Sequence, residues 1–361
     1  MPWNIDFKNK SNLPNADPGK TTLLKSNNLI VLHPTPMAVF TQVSEHDARA
    51  LLADYALGDF RALKGIAAGI ENSNFFLITS QGEYVLTVFE VLKAEQLSFY
   101  IELMNHLAEK AIPVPQPQTR LDGKRLSSMH GKPAAIVSKL AGSFEAKPST
   151  QHCAIAGATL AHAHLAGQDF GIAQPNLRGL PWWEQTTPKV LLFLDAPLAQ
   201  LLQEALAEQS GLALTPDYLS LPRGPSHCDL FRDNVLFDGT YDAPIMGGFI
   251  DFYFAGVDSW IFDVAVSVND WCIEHANGKF QPELLESWLN AYAKIRPFTA
   301  AERRVWPAML RAAALRFWIS RLYDFHLPRP AQTLKPHDPS HFERILIERT
   351  TSAITALPKE Y

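Results

Sequence analysis

The sequence has 361 residues, of which 47% are hydrophobic and 19% are charged, so it is too apolar for a disordered chain and long enough for roughly two domains. The net charge of −5 excludes a broadly basic surface for nucleic acid. No apolar run approaches the roughly 20 residues needed to cross a bilayer. Three separated cysteines favour neither a zinc site nor a disulfide framework. We therefore expect a soluble, cytoplasmic protein without a membrane or nucleic-acid partner.

Residues 1–36 are rich in Pro, Asn and Lys and carry no apolar period, which is typical of a loose extension. A Gly-Lys-Thr sequence at 19–21 does not predict a phosphate-binding loop, because Pro14 stands where that loop needs a glycine. We expect the ordered chain to begin near Met37.

Residues 37–141 have the pattern of a small mixed sheet with one helix. Two β-rich runs, 75–79 and 84–89, flank a Gln-Gly turn and predict a hairpin. Apolar residues then recur at helical spacing over 97–110, and 134–137 predicts a further strand. The predicted order is strand, strand, strand, helix, strand, strand, in one compact mixed lobe.

Residues 142–361 are predicted to be mostly helical and to form a second lobe. Helical spacing occurs in six segments, near 149–167, 184–208, 259–276, 282–295, 299–325 and 340–356. Two short strands, 234–237 and 245–250, are predicted between the second and third of these helices. The sequence thus predicts an α+β protein of two lobes that meet near 139–143.

Polar residues concentrate around this short predicted hairpin. Asp229 and Asn234 lie five residues apart in one loop, and Asp251 follows the second strand. Because hairpin strands are neighbours, Asn234 and Asp251 can reach the same ion. Oxygen ligands suit Mg²⁺, and phosphoryl transfer needs a carboxylate beside the attacking hydroxyl and a metal that neutralises phosphate charge. The pattern therefore predicts a phosphoryl-transfer site.

The His-Cys-Asp at 227–229 with Asn234, followed by Ile-Asp-Phe at 250–252, resembles the aminoglycoside phosphotransferase and choline kinase branch of the protein-kinase-like fold. The resemblance implies a two-lobed fold, in which residues 37–141 cover the nucleotide and residues 142–361 carry the catalytic and substrate sites. It also implies that Asp229 is the catalytic base and that Asn234 and Asp251 bind Mg²⁺.

Three more residues match positions that support the catalytic loop in that branch. Asp263 matches the buried helix aspartate that holds the loop through backbone N–H groups, and His164 matches the histidine of a Leu-x-x-x-His helix. We interpret His227 as a brace for the loop rather than a proton carrier. His162 and His164 cannot share a metal ion, since two residues at this spacing on a helix point roughly 200° apart.

Four stretches within the branch resemble the bacterial homoserine kinases, namely 69–76, 84–90, 250–255 and 315–324. That family moves the γ-phosphoryl group of ATP to the side-chain hydroxyl of L-homoserine, a step towards threonine, so the resemblance implies ATP as co-substrate and Mg²⁺ as cofactor. Three alternatives remain open: another acceptor, such as an aminoglycoside, choline or a sugar; a nucleotide-binding pseudokinase; and a metal hydrolase that uses His227 and Asp229.

The nucleotide side departs from the wider kinase pattern. Thr87 stands where that pattern has a phosphate-binding lysine, and Tyr100 stands where its glutamate partner would be. Losing both partners together avoids an unpaired buried charge. The group that contacts the α- and β-phosphates is left open, with Lys64 and Lys93 as candidates. The resemblance implies these ATP-binding residues: Gly69, Asn72, Asn74 and Thr87.

Arg316 and Arg321 lie five residues apart on one predicted helix. Either they form ordinary ion pairs or they hold the carboxylate of an amino-acid substrate bidentately. Such a substrate also needs an acceptor for its ammonium group, and Asp270 and Glu274 lie in segments that could supply one. The oligomeric state is not predicted. The candidate substrate-binding residues are Tyr253, Trp271, Arg316 and Arg321.

Overall fold

The computed structural model describes residues 41–66, 72–328 and 337–359. The predicted extension 1–36 and Gly69 lie outside the described residues. None of the described helices is both long and apolar enough to cross a membrane.

The first lobe is an antiparallel sheet of five strands with two helices. α1 (Glu45–Leu52) precedes the sheet, and α2 (Ala94–Glu109) follows the third strand. The order predicted from the sequence is confirmed, whereas α1 was not predicted although Ser44 and Asp47 form a capping box at its start. The strands, in the sheet order β1-β2-β3-β5-β4, are β1 Phe60–Ile66, β2 Asn72–Thr79, β3 Glu83–Phe89, β4 Ser127–Met129 and β5 Lys132–Ser138.

The second lobe is mostly helical, and two strand pairs lie at its border with the first lobe. β6 (Arg223–Ser226) pairs with β9 (Gly256–Ser259), and β7 (Val235–Thr240) pairs with β8 (Ala243–Phe249). The predicted two-lobed α+β architecture is thereby confirmed. Its helices are α3 Thr150–Ala166, α4 Leu180–Val190, α5 Ala196–Leu212, α6 Pro216–Leu219, α7 Trp260–Trp271, α8 Pro282–Ile295, α9 Ala300–His326 and α10 Ser340–Thr351.

The single helix predicted over 184–208 is wrong, because the chain folds there as α4 and α5. Asp195 lies between them and caps α5, its side chain accepting a hydrogen bond from the N–H of Leu198 at 3.0 Å. Pro197 stands in the first turn of α5, where its missing N–H costs nothing. The spacing of apolar residues alone does not reveal a break between two consecutive helices.

Helix α7 is the central element of the second lobe, since every one of its residues is buried. Two of them, Asp263 and Asp270, are carboxylates. Buried carboxylates are unfavourable unless they are hydrogen-bonded. Both of these side chains accept hydrogen bonds from the loop that follows β6, so α7 ties that loop to the core.

The chain passes between the lobes directly beside the β7–β8 hairpin. Ser143 exchanges two backbone hydrogen bonds with Phe237, with N–O distances of 2.9 and 2.8 Å. Gly142 has a φ of +87°, and a Cβ at this position would lie 2.1 Å from the carbonyl oxygen of Phe237. Only glycine fits such a position, so the crossing is fixed against the hairpin.

Candidate active site

The loop between β6 and β7 is held by Asp263 of α7. Its Oδ2 accepts the N–H of His227 at 2.8 Å, and its Oδ1 accepts the N–H of Cys228 at 2.7 Å. Cys228 has a φ of +62°, a left-handed conformation that costs a non-glycine residue about 1 kcal/mol or more. The two charge-assisted hydrogen bonds offset this cost and fix the backbone immediately before Asp229.

A buried chain of side chains continues behind Asp263. His164 Nε2 lies 3.0 Å from Asp263 Oδ2, and His164 Nδ1 lies 2.8 Å from the hydroxyl of Tyr292. Arg296 donates to the same hydroxyl at 3.4 Å and pairs with Glu302 at 2.8 Å. Because a guanidinium only donates, Tyr292 donates its proton to Nδ1, which assigns His164 as the neutral Nε2–H tautomer.

The pKa shifts agree with this assignment. Burial lowers the pKa of His164, so the imidazole stays neutral. Burial alone would raise the pKa of Asp263, but the hydrogen bond from His164 and then the contacts of His227 bring it below its usual value. Asp263 is therefore a carboxylate that accepts from the loop and from His164.

The same loop is tied to the end of β8. His227 Nε2 donates to the carbonyl of Ile250 at 2.8 Å, and the N–H of Ile250 donates to the carbonyl of Asn234 at 2.9 Å. Burial lowers the pKa of His227. These contacts are those of a neutral brace between the loop and the residue before Asp251.

Asp229 and Asn234 are in direct contact. The side-chain NH₂ of Asn234 donates to the backbone carbonyl of Asp229 at 2.8 Å and lies 3.5 Å from Asp229 Oδ2. The amide nitrogen is thereby used, and its Oδ1 is the atom suited to a cation. Asp251 is exposed and has a φ of +61°, directly after the residue that binds Asn234. The structure thus brings these three predicted site residues together.

The charge around Asp229 is unusual for a carboxylate. Burial raises its pKa well above the ordinary value, and the carboxylates of Asp251 and Asp233 act in the same direction. Arg316 and Arg321 act in the opposite direction. Asp229 is therefore more basic than a surface aspartate.

The donor set fits Mg²⁺. Within the part of the chain that the structure describes, no group of three or more His, Cys, Asp and Glu side chains could hold a metal ion by itself. Asn234 and Asp251 offer one amide oxygen and one carboxylate, and Mg²⁺ commonly binds one or two carboxylates together with substrate phosphates.

Neutral groups occupy the site where other kinases have a lysine–glutamate pair. Thr87 is buried and donates to Asn74 Oδ1 at 2.8 Å across the β2–β3 register. The Tyr253 hydroxyl hydrogen-bonds Thr87, and its ring packs edge-on against Tyr100 at 6.0 Å. Tyr253 thus lies against the first lobe. Asn72 opens β2, next to the undescribed segment that holds Gly69.

We correct the prediction that Trp271 contacts a substrate. Its side chain is 1% exposed, and its indole N–H donates to the carbonyl of Leu230 at 3.0 Å. Trp271 therefore supports the catalytic loop from the core. Asp270 is also engaged, since it accepts from the backbone N–H and the guanidinium of Arg232 at 2.8 and 3.0 Å.

Both candidate arginines of α9 act on Asp229, because each lowers its pKa. Arg316 is 3% exposed, and its Cζ lies 3.9 Å from the ring centroid of Phe317. Arg321 lies over Phe342 at 5.1 Å. That the two arginines form one bidentate clamp stays a prediction.

The sequence analysis missed Arg178, in the loop before α4. Its Cζ lies 4.4 Å from the ring centroid of Trp182 and 6.0 Å from that of Phe254, and it lowers the pKa of Arg316. In the sequence, the nearby tryptophan pair was the one local feature that pointed to Arg178. The nearness of Arg178 to α9 arises only from the tertiary fold.

Comparisons with known proteins bear on the family of the chain and on its fold, which they show to be protein-kinase-like as predicted. The model of the phosphotransferase enzyme family matches residues 62–304. The homoserine kinase of Burkholderia vietnamiensis is 55% identical over 90% of this chain and 99% of its own length. That of Paraburkholderia phymatum is 56% identical over 88% of this chain and 99% of its own length.

Among solved structures, an amicoumacin kinase in complex with AMP-PNP, Ca²⁺ and Ami aligns with a TM-score of 0.62 and 16% identity, over 85% of this chain and 93% of that chain. At this identity the likeness concerns the fold alone. Together with the family match and the close relatives, it leads to one conclusion: the chain belongs to the phosphotransferase enzyme family.

Proposed function

We propose that this protein is a homoserine kinase, which transfers the γ-phosphoryl group of ATP to the side-chain hydroxyl of L-homoserine. The observation that carries the proposal is identity of 55% to a protein named homoserine kinase over 99% of that protein's length. The contacts among Asp229, Asn234 and the segment before Asp251 support the same reaction class.

In the proposed reaction Asp229 accepts the proton of the acceptor hydroxyl. The hydroxyl oxygen forms a bond to the γ-phosphorus, the bond between that phosphorus and the bridging oxygen breaks, and ADP leaves. A carboxylate whose pKa is raised is a better proton acceptor than an ordinary one, provided that it is still ionised at the working pH.

We assign Mg²⁺ to Asn234 Oδ1 and the Asp251 carboxylate. When bound, the ion neutralises charge on the nucleotide phosphates. The chain itself holds the side-chain amide of Asn234 in place. Both contacts of the Asn234 amide nitrogen with Asp229 orient the Asn234 Oδ1. The related amicoumacin kinase was solved with AMP-PNP and a divalent cation, which supports a metal–nucleotide site in this fold.

We assign the nucleotide to the face of the first lobe that carries Asn72, Asn74 and Thr87, and we also assign Gly69 to nucleotide binding. These side chains are neutral, so they add hydrogen bonds but no charge. Most of the phosphate charge then falls on Mg²⁺. The small-molecule acceptor belongs on the other side of Asp229, near Arg316.

An acceptor screen tests the proposal. ADP release is measured with ATP, Mg²⁺ and each of L-homoserine, choline, an aminoglycoside and a sugar alcohol, and the product is identified by ³¹P NMR. We expect the highest kcat/KM with L-homoserine and formation of its phosphate monoester. A higher kcat/KM with another acceptor would assign that acceptor instead, and nucleotide binding without acceptor-dependent ADP release would favour the pseudokinase.

The variant Asp251→Asn tests the metal assignment in the same assay. It keeps an oxygen ligand but loses the negative charge, so we expect half-maximal rate only at a higher Mg²⁺ concentration. The matched change Asp242→Asn, at an exposed position in the turn of the same hairpin, controls for surface charge. An unchanged Mg²⁺ dependence in Asp251→Asn would remove this residue from the metal site.

A further inference from the structure

Arg316 is a buried cation that forms no ion pair within the described residues. It is 3% exposed, and its Nε has no hydrogen-bond partner there. Within the described residues, no carboxylate oxygen lies within 4.0 Å of a guanidinium nitrogen of Arg316. Burying a charge without a partner is costly, so this position is suited to an anion that arrives with a ligand.

The surroundings of Arg316 form a built site rather than a chance burial. The guanidinium lies near two aromatic rings, with its Cζ 3.9 Å from the centroid of Phe317 and 5.4 Å from that of Phe254. Aromatic faces restrict a guanidinium plane and leave its edge for hydrogen bonds. The edge is the part that binds a carboxylate bidentately.

A second arginine lies beside the same ring. Arg178 is 6.0 Å from Phe254 and stacks on Trp182 at 4.4 Å. Its backbone is held as well, because its N–H donates to Asn176 Oδ1 at 2.9 Å and its carbonyl accepts from the indole of Trp183. The loop before α4 therefore presents Arg178 in a fixed position.

The charges around Arg316 are of both signs. Burial lowers its pKa to about 10, Asp229 opposes this shift, and Arg178 adds to it. Cys228 and Asp324 act in the same direction as Asp229. Two neighbouring cations repel each other, and an anion bound between them relieves that repulsion.

The position of this pair relative to Asp229 sets what the ligand can be. Arg316 interacts with both Cys228 and Asp229, and Phe254 follows Asp251 by three residues. An anion bound here lies next to the carboxylate that accepts the hydroxyl proton. A small acceptor can therefore place its hydroxyl at Asp229 and a carboxylate at the arginines.

We propose that Arg316, assisted by Arg178, binds the α-carboxylate of the acceptor and thereby selects an amino acid over an amino alcohol. The inference rests on the proposed function, because it requires an acceptor that carries a carboxylate. The transferred phosphoryl group is the other anion that could reach Arg316, and the experiment below separates the two.

The test compares two acceptors that differ only in the carboxylate, L-homoserine and 3-aminopropan-1-ol. For the wild-type enzyme we expect kcat/KM to be about 100-fold or more higher with L-homoserine, as for a site whose buried polar groups are left unpaired by the wrong substrate. In Arg316→Gln this preference falls at least tenfold, entirely through the rate with L-homoserine. Arg178→Gln reduces it in the same direction by less.

Arg311→Gln is the matched control on the same helix, where the native side chain pairs with Glu208 at 2.8 Å. It should keep the preference of the wild-type enzyme. Thermal unfolding checks that each variant is folded. Because Arg178 is only partly buried, Arg178→Gln remains informative if Arg316→Gln does not fold.

Each result has a distinct meaning. An unchanged preference in folded Arg316→Gln and Arg178→Gln would overturn the inference and leave the proposed function intact. An equal loss with both acceptors would assign Arg316 to the phosphoryl group, which also overturns it. Failure of the wild-type enzyme to phosphorylate L-homoserine would reject the proposed function itself, together with the inference built on it.

Discussion

The surroundings that make Asp229 more basic also lower the stability of the folded chain. Its carboxylate is taken out of water and lies near the carboxylates of Asp251 and Asp233, both of which raise its pKa. The same conditions that favour proton acceptance disfavour the charge in the folded state. Active sites commonly carry such a cost.

Asp229→Asn should therefore lose activity and gain stability. We expect kcat to fall by about 10²–10⁴-fold because the proton acceptor is gone, while the melting temperature at pH 7 rises by about 1–3 °C. Initial rates and thermal unfolding measure the two effects on the same preparation. Asp242→Asn, at an exposed position, should change neither. A variant that kept its activity would remove Asp229 from the reaction.

The site residues that could be predicted from the sequence are those that lie close together along the chain. Asp229 and Asn234 share one loop, and a hairpin returns the chain to Asp251, so local spacing alone brought them together. Arg178 lies far from them in sequence and approaches Arg316 only through the packing of α4 against α9. No pattern in one sequence contains that contact.

The catalytic loop depends on elements that never touch a substrate. Helix α7 supplies Asp263, α3 supplies His164, and α8 supplies Tyr292, which are joined by hydrogen bonds of 3.0 and 2.8 Å. Three helices thus set the backbone conformation of Cys228.

Tyr292→Phe tests this chain of contacts. The change leaves His164 Nδ1 without its donor and removes one acceptor from Arg296, so we expect a loss of about 1–3 kcal/mol in the free energy of unfolding. Because the loop before Asp229 is loosened, kcat should fall several-fold while KM for both substrates changes little. Steady-state kinetics measures this split, and Tyr241→Phe on the exposed hairpin is the control. Lower stability with unchanged kcat would show that Tyr292 has no role in positioning.

The buried histidine predicts a definite pH dependence of stability. The pKa of His164 is lowered in the folded state, so the unfolded chain binds more protons near and below the ordinary histidine value of about 6.5. Stability therefore falls as pH falls from 7 towards 5, and one such histidine contributes up to about 1.4 kcal/mol per pH unit. Asp263, with its lowered pKa, loses its stabilising effect only at still lower pH.

His164→Gln should reduce that slope. Glutamine can still donate to Asp263 and accept from Tyr292, but it does not titrate. Urea unfolding at pH 5, 6 and 7 measures the slope, and His162→Gln controls for the loss of an imidazole at an exposed site of the same helix. An unchanged slope in His164→Gln would contradict the neutral assignment.

At the scale of the whole molecule, the two lobes are joined beside the β7–β8 hairpin. Besides the crossing at Gly142, the N–H of Phe249 donates to the carbonyl of Pro113 in the first lobe at 2.9 Å. Gly247 also lies so close to the crossing that a Cβ there would be 2.2 Å from the carbonyl oxygen of Ala141. Movement of one lobe is therefore transmitted to the segment between Asn234 and Asp251.

Gly142→Ala should damage both stability and activity. The new methyl group would collide with the backbone of Phe237 in a left-handed conformation, so we expect a loss of about 1–3 kcal/mol and a reduced rate. The same substitution at Gly211 is the matched control: it lies in α5 with open space around it, so alanine should stabilise the chain by about 0.5–1 kcal/mol. Unfolding curves and initial rates are measured for both variants. A fully active and stable Gly142→Ala would show that the segment at Gly142 does not pack tightly against the hairpin.

The fold was predictable wherever local patterns carry it. Helix α8 was predicted at 282–295, the bounds it has, since proline begins it and its apolar face is regular. The β6–β9 pair was not predicted, because strands of four residues separated by a whole hairpin leave no periodic signal. The division into two lobes could be predicted from the order of the strands and helices along the chain. The contacts between the lobes depend on glycines, and the close backbone approaches that require these glycines are visible only in the three-dimensional structure.

The three cysteines have a practical consequence. They are the only thiols of the chain, and Cys153, Cys228 and Cys272 are all buried. Burial raises the pKa of Cys228 and of Cys272 well above the usual range, so little thiolate is present to react. A fluorophore pair attached to cysteines engineered on the surface of each lobe would therefore label only the intended positions, and resonance energy transfer would report the distance between the lobes with every native thiol left in place.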